Sequence, residues 1–289
     1  ASANVSDSLV KATNEPAPLP PIADYCDPID SSNLTGRATL AKYLNYNLPV
    51  FEKNTEKRWP IASITKLMTS VITLEEMNPD EKITISQKAV NIEGVAGGLK
   101  AGEVFSSYDL VKAMLVVSSN DAAFALAESM GEKEFVNSMQ RKAAELEMLQ
   151  TTYVEPTGLS FVNQSTAEDL NKLINYIYKN HPEILKISRE RETNMTELKS
   201  QKIRILYNVD YFAGQKDFIG GKTGFIDAAG RNLVALFNIQ DQVVLTIVLG
   251  TNNAFEETKR VKNYVQYCDQ PKQWFWKYQI QNPSATSTI

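Results

Sequence analysis

Residues 217–225 read DFIGGKTGF, and the fold turns on what this stretch is. It contains Gly221-Lys222-Thr223, the end of a phosphate-binding loop. It also contains Lys222-Thr223-Gly224 in a strand-like setting. A phosphate loop needs G-x-x-x-x-G-K-[ST] between a strand and a helix, so that backbone N–H groups cradle the phosphates. With Gly221 and Lys222 fixed, the first glycine belongs at position 216, which is Lys216; Gly214 comes two residues too early. Downstream, GRNLVALFNIQDQVVLTIVLG (230–250) is two β-rich runs around a polar Gln-Asp-Gln, which predicts a hairpin. No helix follows the lysine closely, so 217–225 is read as a strand.

Working outward, KIRILYN (202–208) adds another β-run before it, and a closing helix is expected over 255–267. Near the other end, AKYLNYNLPVFEKN (41–54) reads as strand, turn, strand. Between them the sequence is helical. SITKLMTSVITLEEM (63–77) spaces Ile64, Leu67, Met68, Val71, Ile72 and Leu74 as a buried helix headed by a serine. SSYDLVKAMLVVSSNDAAFALAESM (106–130) holds one or two helices interrupted by a polar SSND. Residues 131–148 form an amphipathic helix, and 165–185 opens with a Ser/Thr cap and acidic first turn. β-Runs joined by short turns imply an antiparallel sheet. The expected class is therefore α/β of the α+β type, with a helical subdomain over about 78–200 covering the sheet.

The 289-residue chain is 43% hydrophobic and 22% charged, ordinary for a globular protein. Its net charge of −4 gives no basic footprint for nucleic acid. One histidine and two cysteines do not suggest a zinc site, and no metal or cofactor is expected. His181, in KNHPEIL, is read as a surface turn residue. No apolar run reaches the roughly 20 residues of a membrane span, and no signal peptide is visible; a signal or membrane anchor removed from a precursor fits the same sequence. Residues 1–36 include a proline-rich stretch and read as a linker or extension, 37–279 as the main domain and 280–289 as a disordered tail. Cys26 and Cys268 are read either as one disulfide or as two unpaired thiols.

Chemistry enters with PIASITKLM (60–68). Ser63 and Lys66 are three apart at a helix start, which puts both on one face. A serine hydroxyl needs a base. Lysine serves only if burial or a nearby cation lowers its pKa, and Lys222 is a candidate for that cation. Ser-x-x-Lys alone is common, and a helix cap followed by a surface lysine is the plain alternative; the apolar neighbours of Lys66 argue against it. Ser118-Ser119-Asn120 offers a hydroxyl and an amide, although a helix junction with capping residues explains it equally. Lys222 and Thr223 on a strand suit a carboxylate, and Gly224 suits close approach of a substrate backbone.

S-x-x-K, S-x-N and K-T-G, in that order and in these settings, are the signature of penicillin-binding serine enzymes. With RWPIASITKLMT (58–69), LVVSSNDAA (115–123), EPTGLS (155–160), NQSTAEDL (163–170) and GGKTGFIDAAGRNLVA (220–235), the chain resembles the D-alanyl-D-alanine carboxypeptidase family of low-molecular-mass penicillin-binding proteins over about 40–267. The resemblance implies a β-lactamase/transpeptidase-like fold and an extracytoplasmic serine peptidase acting on peptidoglycan stem peptides, with β-lactams as covalent inhibitors. It makes Ser63 the acylated nucleophile, Lys66 its base and Ser118 a proton relay. Asn120 would hold substrate and orient Lys66, Lys222 and Thr223 would engage a carboxylate, and the N–H groups of Ser63 and Phe225 would form the oxyanion hole. Thr251 stands near where some relatives carry an arginine, which weakens the expectation of free-carboxylate recognition. A β-lactamase on the same fold and a non-catalytic wall-binding module are the competing readings; turnover of penicillin and of a D-Ala-D-Ala peptide separate them. Glu155 is read as a surface or loop-bracing carboxylate rather than a deacylating base.

Overall fold

The structure, a computed structural model, describes residues 34–46, 48–94 and 97–267. Strands β1 (Ala38–Tyr43) and β2 (Leu48–Lys53) form a hairpin. The short β3 (Trp59–Pro60) runs into a single 3-10 turn (Ala62–Ile64) and helix α1 (Thr65–Glu76). Then come β4 (Lys82–Thr84), α2 (Gln87–Val90), β5 (Val104–Ser106), α3 (Ser107–Val116), α4 (Asn120–Met130), α5 (Glu132–Glu145), β6 (Gln164–Ser165), α6 (Ala167–Asn180) and α7 (Pro182–Arg189). The chain continues through β7 (Glu192–Thr196), β8 (Ile203–Tyr207), β9 (Phe218–Ile226), β10 (Gly230–Ile239), β11 (Gln242–Thr251) and α8 (Ala254–Tyr267).

The central sheet is antiparallel in the order β2-β1-β11-β10-β9. The predicted hairpin joins β10 to β11 through Gln240 and Asp241, both at positive φ (51° and 62°), as a two-residue turn matched to strand twist requires. β10 and β11 are buried along almost their whole length, which is why their sequences run continuously apolar rather than alternating. The alternation survives in where side chains go. Val234, Leu236, Leu245 and Ile247 enter the large core shared with α1, α3, α4 and α6. Leu233, Ala235, Phe237 and Val244 enter a second core with Phe212, Phe218 and Val265 on the α8 side. One sheet thus separates two cores, and β9 forms its edge beside the helical half.

α1 is the central helix. From Thr65 to Thr73 every residue is buried, Lys66 included. Two of its hydroxyls are satisfied within the helix, Ser70 donating to the Lys66 carbonyl and Thr73 to the Thr69 carbonyl at 2.7 and 2.9 Å, while Thr69 donates to the Pro156 carbonyl at 2.7 Å. The helix does not start at the serine as its sequence suggests. Ser63 lies in the 3-10 turn, and Ala62 before it has φ 48°, a left-handed conformation uncommon for a side chain with Cβ.

Two other expectations change. β8 does not join the central sheet; it pairs with β7, and only its inward Leu206 is buried while Ile203, Ile205 and Tyr207 face outward. A one-sided strand of this kind belongs to a ribbon laid on a helix, not to a sheet covered on both faces. The single helix expected over 165–185 is two, α6 and α7, meeting at His181 and Pro182, where proline supplies an N-terminal start and cannot continue the helix before it. Cys26, Cys268 and the proposed tail lie outside the described residues.

Candidate active site

Lys66 Nζ has three oxygen neighbours: Ser63 Oγ at 2.9 Å, Asn120 Oδ1 at 2.7 Å and the Thr157 carbonyl at 2.5 Å. Two of these, an amide oxygen and a backbone carbonyl, are acceptors only. They take two N–H hydrogens of the amine. A neutral lysine then has its lone pair left for the third neighbour, the Ser63 hydroxyl. The surroundings favour that neutral state. Burial pushes the Lys66 pKa well below its ordinary value, and the charge of Lys222 pushes it further; Glu155 and Asp121 oppose more weakly.

Two glycines hold the Ser63 turn from either side. A Cβ at Gly158 would lie 2.0 Å from the Ala62 carbonyl oxygen and 2.9 Å from the Ser63 nitrogen. A Cβ at Gly224 would lie 2.8 Å from the Ile61 oxygen and 3.1 Å from the Ser63 nitrogen. Gly224 lines the cleft and also packs closely on the chain's own Ile61–Ile64 turn. The loop carrying Gly158 is braced by Glu155. Its carboxylate accepts from Thr157 N and Oγ1 (2.6 and 2.5 Å), Gly158 N (2.7 Å), Ser160 N (3.3 Å) and Asn163 Nδ2 (2.9 Å). These bonds aim the Thr157 carbonyl at Lys66.

Across the site, Lys222 Nζ donates to Ser118 Oγ and to the Thr223 carbonyl, both at 2.9 Å. Lys222 is buried on β9, and burial lowers its pKa to about 7, with Asp210 opposing. Asp210 is itself buried; desolvation raises it to about 6, against a bond from Phe212 N and the charge of Lys222. Ser118 occupies the junction before α4 at φ 59°, where Ser119 caps the helix by accepting from Ala122 N. Asn120 opens α4; its Nδ2 donates to the Glu93 carbonyl at 3.0 Å, which leaves a second N–H. Ser63, Ser118, Asn120, Thr223, Gly224 and Phe225 all line one open cleft of about 550 Å³. The eight residues singled out from sequence thus converge on one place. Lys222 reaches it through its bond to Ser118.

Several participants were not legible. The Thr157 carbonyl is backbone and carries no residue signal. Asp121 holds the loop over Asn120 by accepting from Gly97 N and Leu99 N at 2.9 and 3.2 Å. Asp210 sits far from any motif. The phosphate-loop alternative fails on topology, since β9 turns directly into β10.

The D-alanyl-D-alanine carboxypeptidase family model matches residues 45–253. The D-alanyl-D-alanine endopeptidase of Escherichia coli K12 is 32% identical over 232 residues, 77% of this chain and 74% of that protein. The D-alanyl-D-alanine endopeptidase of Pseudomonas aeruginosa is 31% identical over 268 residues, 90% and 85% of the respective chains. Among solved structures, ampicillin-bound penicillin-binding protein D2 from Listeria monocytogenes superposes with a TM-score of 0.73 at 27% identity, covering 83% of this chain and all of that one.

Proposed function

This chain belongs to the D-alanyl-D-alanine carboxypeptidase family of serine peptidases acting on peptidoglycan, and on that premise we propose how its residues divide the reaction. Ser63 Oγ attacks the D-alanyl carbonyl of a stem peptide while neutral Lys66 accepts its proton. The backbone N–H groups of Ser63 and Phe225 receive the developing oxyanion. As the amide C–N bond breaks, Lys66 gives up the proton it took, which passes through Ser118 to the leaving amine; Lys66 is neutral again and the acyl group stays on Ser63 as an ester. Water then adds to the ester as Lys66 takes its proton, and Lys66 returns that proton to Ser63 Oγ as the ester C–O bond breaks and the acid leaves. The free N–H of Asn120 holds the acyl donor, and Lys222 and Thr223 meet the carboxylate side of the substrate.

The observation that carries this reading is the coordination of Lys66: two acceptor-only partners and one hydroxyl, in full burial. A surface lysine after a helix cap has none of these features. The two endopeptidase relatives, together with Thr251 at the end of β11, favour cleavage of cross-linked over free terminal D-Ala-D-Ala. The setting that follows is the extracytoplasmic face, where the wall is. No helix of the described residues is long and apolar enough to cross a membrane. β-Lactams would acylate the same serine, a proposal supported by the ampicillin-bound relative.

Mass spectrometry after incubation with benzylpenicillin should show one penicilloyl group on Ser63, absent from Ser63→Ala. Lys66→Arg, whose guanidinium cannot accept the proton, should lose about 10²–10⁴-fold in peptide turnover. Near-normal turnover in that variant would remove Lys66 from its role. Digestion of cross-linked dimers beside free pentapeptides reads the cut: exclusive release of terminal D-Ala would sink the endopeptidase assignment.

A further inference from the structure

The β7–β8 ribbon has no role in the scheme above, yet its outer face is ordered into two rows. Side chains directly opposite each other in an antiparallel pair share a face. The ladder sets Tyr207 against Glu192, Ile205 against Asn194 and Ile203 against Thr196. One row is therefore apolar, and the row beside it carries hydrogen-bonding groups. The apolar row is open to solvent, with Ile203 68%, Ile205 54% and Tyr207 65% exposed. The inner side of the ribbon is already filled by buried Met195 and Leu206, so packing within the chain does not explain the outer isoleucines. A contiguous apolar strip of this kind marks a binding surface. The side chains of Glu192, Asn194 and Thr196 make no hydrogen bond or ion pair among the described residues.

The strip leads to the cleft. Past Tyr207 the chain bends, and Asn208 fixes the bend. Its Nδ2 donates to the Ser188 and Glu190 carbonyls, both at 2.8 Å, and its Oδ1 accepts from Asp210 N at 2.8 Å. Val209 N donates to the Val116 carbonyl at 3.0 Å, which ties the bend to the end of α3, just before Ser118. Val209 itself lines the cleft that holds Ser63. The exposed ring of Tyr211 lies 5.8 Å from that of Phe255, another cleft residue. Tyr207 and Tyr211 also line a second hollow of about 600 Å³, with Arg191, Glu192, Asn208 and Asp210. An open path thus runs from β8 to the Ser118 side of the cleft, where the scheme puts the leaving amine.

We infer that this strip is a saccharide platform, which takes the amino-sugar strand that carries the leaving stem peptide. The inference rests on the peptidase reading and adds a contact outside the cleft. A pyranose ring presents a face of C–H groups and a rim of hydroxyl and amide groups. The aromatic faces of Tyr207 and Tyr211 and the two isoleucines suit the first. Glu192, Asn194 and Thr196 in the adjacent row supply acceptors and donors for the second. Ile203 to Tyr207 span about 14 Å, enough for a run of linked rings. The polar row holds a single charge, that of Glu192, which suits an uncharged sugar strand. An amphipathic helix from a protein partner would instead lay its apolar face on a polar row. A single released D-alanine carries no strand to place here, whereas a cross-linked leaving stem does.

The test compares one cross-linked stem-peptide dimer in two forms, with its sugar strands attached and with the sugars removed. The wild-type protein should cleave the glycan-bearing form with kcat/KM higher by on the order of 10²-fold, the lower end of what a tethered second contact adds. Ile205→Ser combined with Tyr207→Ser, both on the solvent face, should bring that ratio close to one. Asn194→Ala, which keeps the apolar row, should lower it in part. A peptide-free β-1,4-linked N-acetylglucosamine tetramer should shift the methyl NMR signals of Ile203 and Ile205. Equal rates on the two forms, or a ratio unchanged in the double variant, would overturn the inference. So would a concentration-dependent dimer through this face with no response to the tetramer. Failure of the peptidase reading is visible separately. With Ser63 as nucleophile, Ser63→Ala cleaves neither form and still binds the tetramer; cleavage of both forms by that variant would sink the nucleophile and leave the platform standing.

Discussion

Gly158 lies so close to Ala62 that a methyl group in place of its hydrogen would sit 2.0 Å from the Ala62 carbonyl oxygen. This contact joins the loop that supplies the Thr157 carbonyl to the turn that carries Ser63. Gly158 also has φ 85°, a conformation that costs a side-chain-bearing residue about 1–3 kcal/mol. Gly158→Ala must therefore displace either the loop or the turn. The expected result is a lower melting temperature together with acylation by benzylpenicillin slowed on the order of 10²-fold, since a displacement of about 1 Å suffices for that loss. A variant that acylates at the wild-type rate would show that the contact does not position Ser63.

Lys222 should shape the alkaline side of the pH profile. Its burial favours the neutral amine, and its pKa falls to about 7. In the free enzyme its positive charge is therefore present below about pH 7 and lost above it. A bound carboxylate favours the charged form and raises that pKa. The kcat/KM profile for an acid peptide should fall on its alkaline side near pH 7, and the corresponding limb of kcat should lie higher. Lys222→Arg keeps its charge throughout and should lose the limb. A limb unchanged in that variant assigns the ionisation to another group.

The acyl-enzyme with penicillin should be long-lived. A deacylating glutamate must present an oxygen to a water beside the ester. Both carboxylate oxygens of Glu155 are instead spent on its own loop: Oε2 on Thr157, Oε1 on Gly158, Ser160 and Asn163. After free drug is removed, the adduct mass should persist. Glu155→Gln should lower the melting temperature and slow acylation, because the backbone N–H groups of Thr157, Gly158 and Ser160 lose a charged acceptor, each bond to which contributes about 1.5–3 kcal/mol. Clearance of the adduct within seconds, with persistence restored by Glu155→Gln, would make Glu155 a base and the protein a β-lactamase.

What the sequence disclosed follows the range of each interaction. Ser63 and Lys66 were legible because a helical repeat places them together within four residues. The β10–β11 hairpin was legible because Gln240 and Asp241 interrupt two apolar runs with residues that tolerate positive φ. Lys222 was assigned only through the order of motifs, since nothing local says that a strand residue will bond a serine 104 positions earlier. β4, β5 and β7 were missed because strands of three to five residues carry too little pattern. β8 was seen but placed in the wrong sheet, since alternation reports a buried face without naming what buries it.

The β1–β11 pairing has a temporal consequence. Ala38 sits beside Leu249 and Tyr43 beside Val244, so the sheet joins segments at nearly opposite ends of the described chain. Such pairings close large loops and form late, because the entropy of closure must be met before the contacts reward it. The serine turn follows β2 and β3 directly, yet the strand that wedges it, β9, joins the sheet only through β10 and β11. A chain made only as far as α7 thus holds Ser63 and Lys66 close in sequence but without a working geometry. The hydrolytic hazard therefore arises only once β9, β10 and β11 have been made and paired.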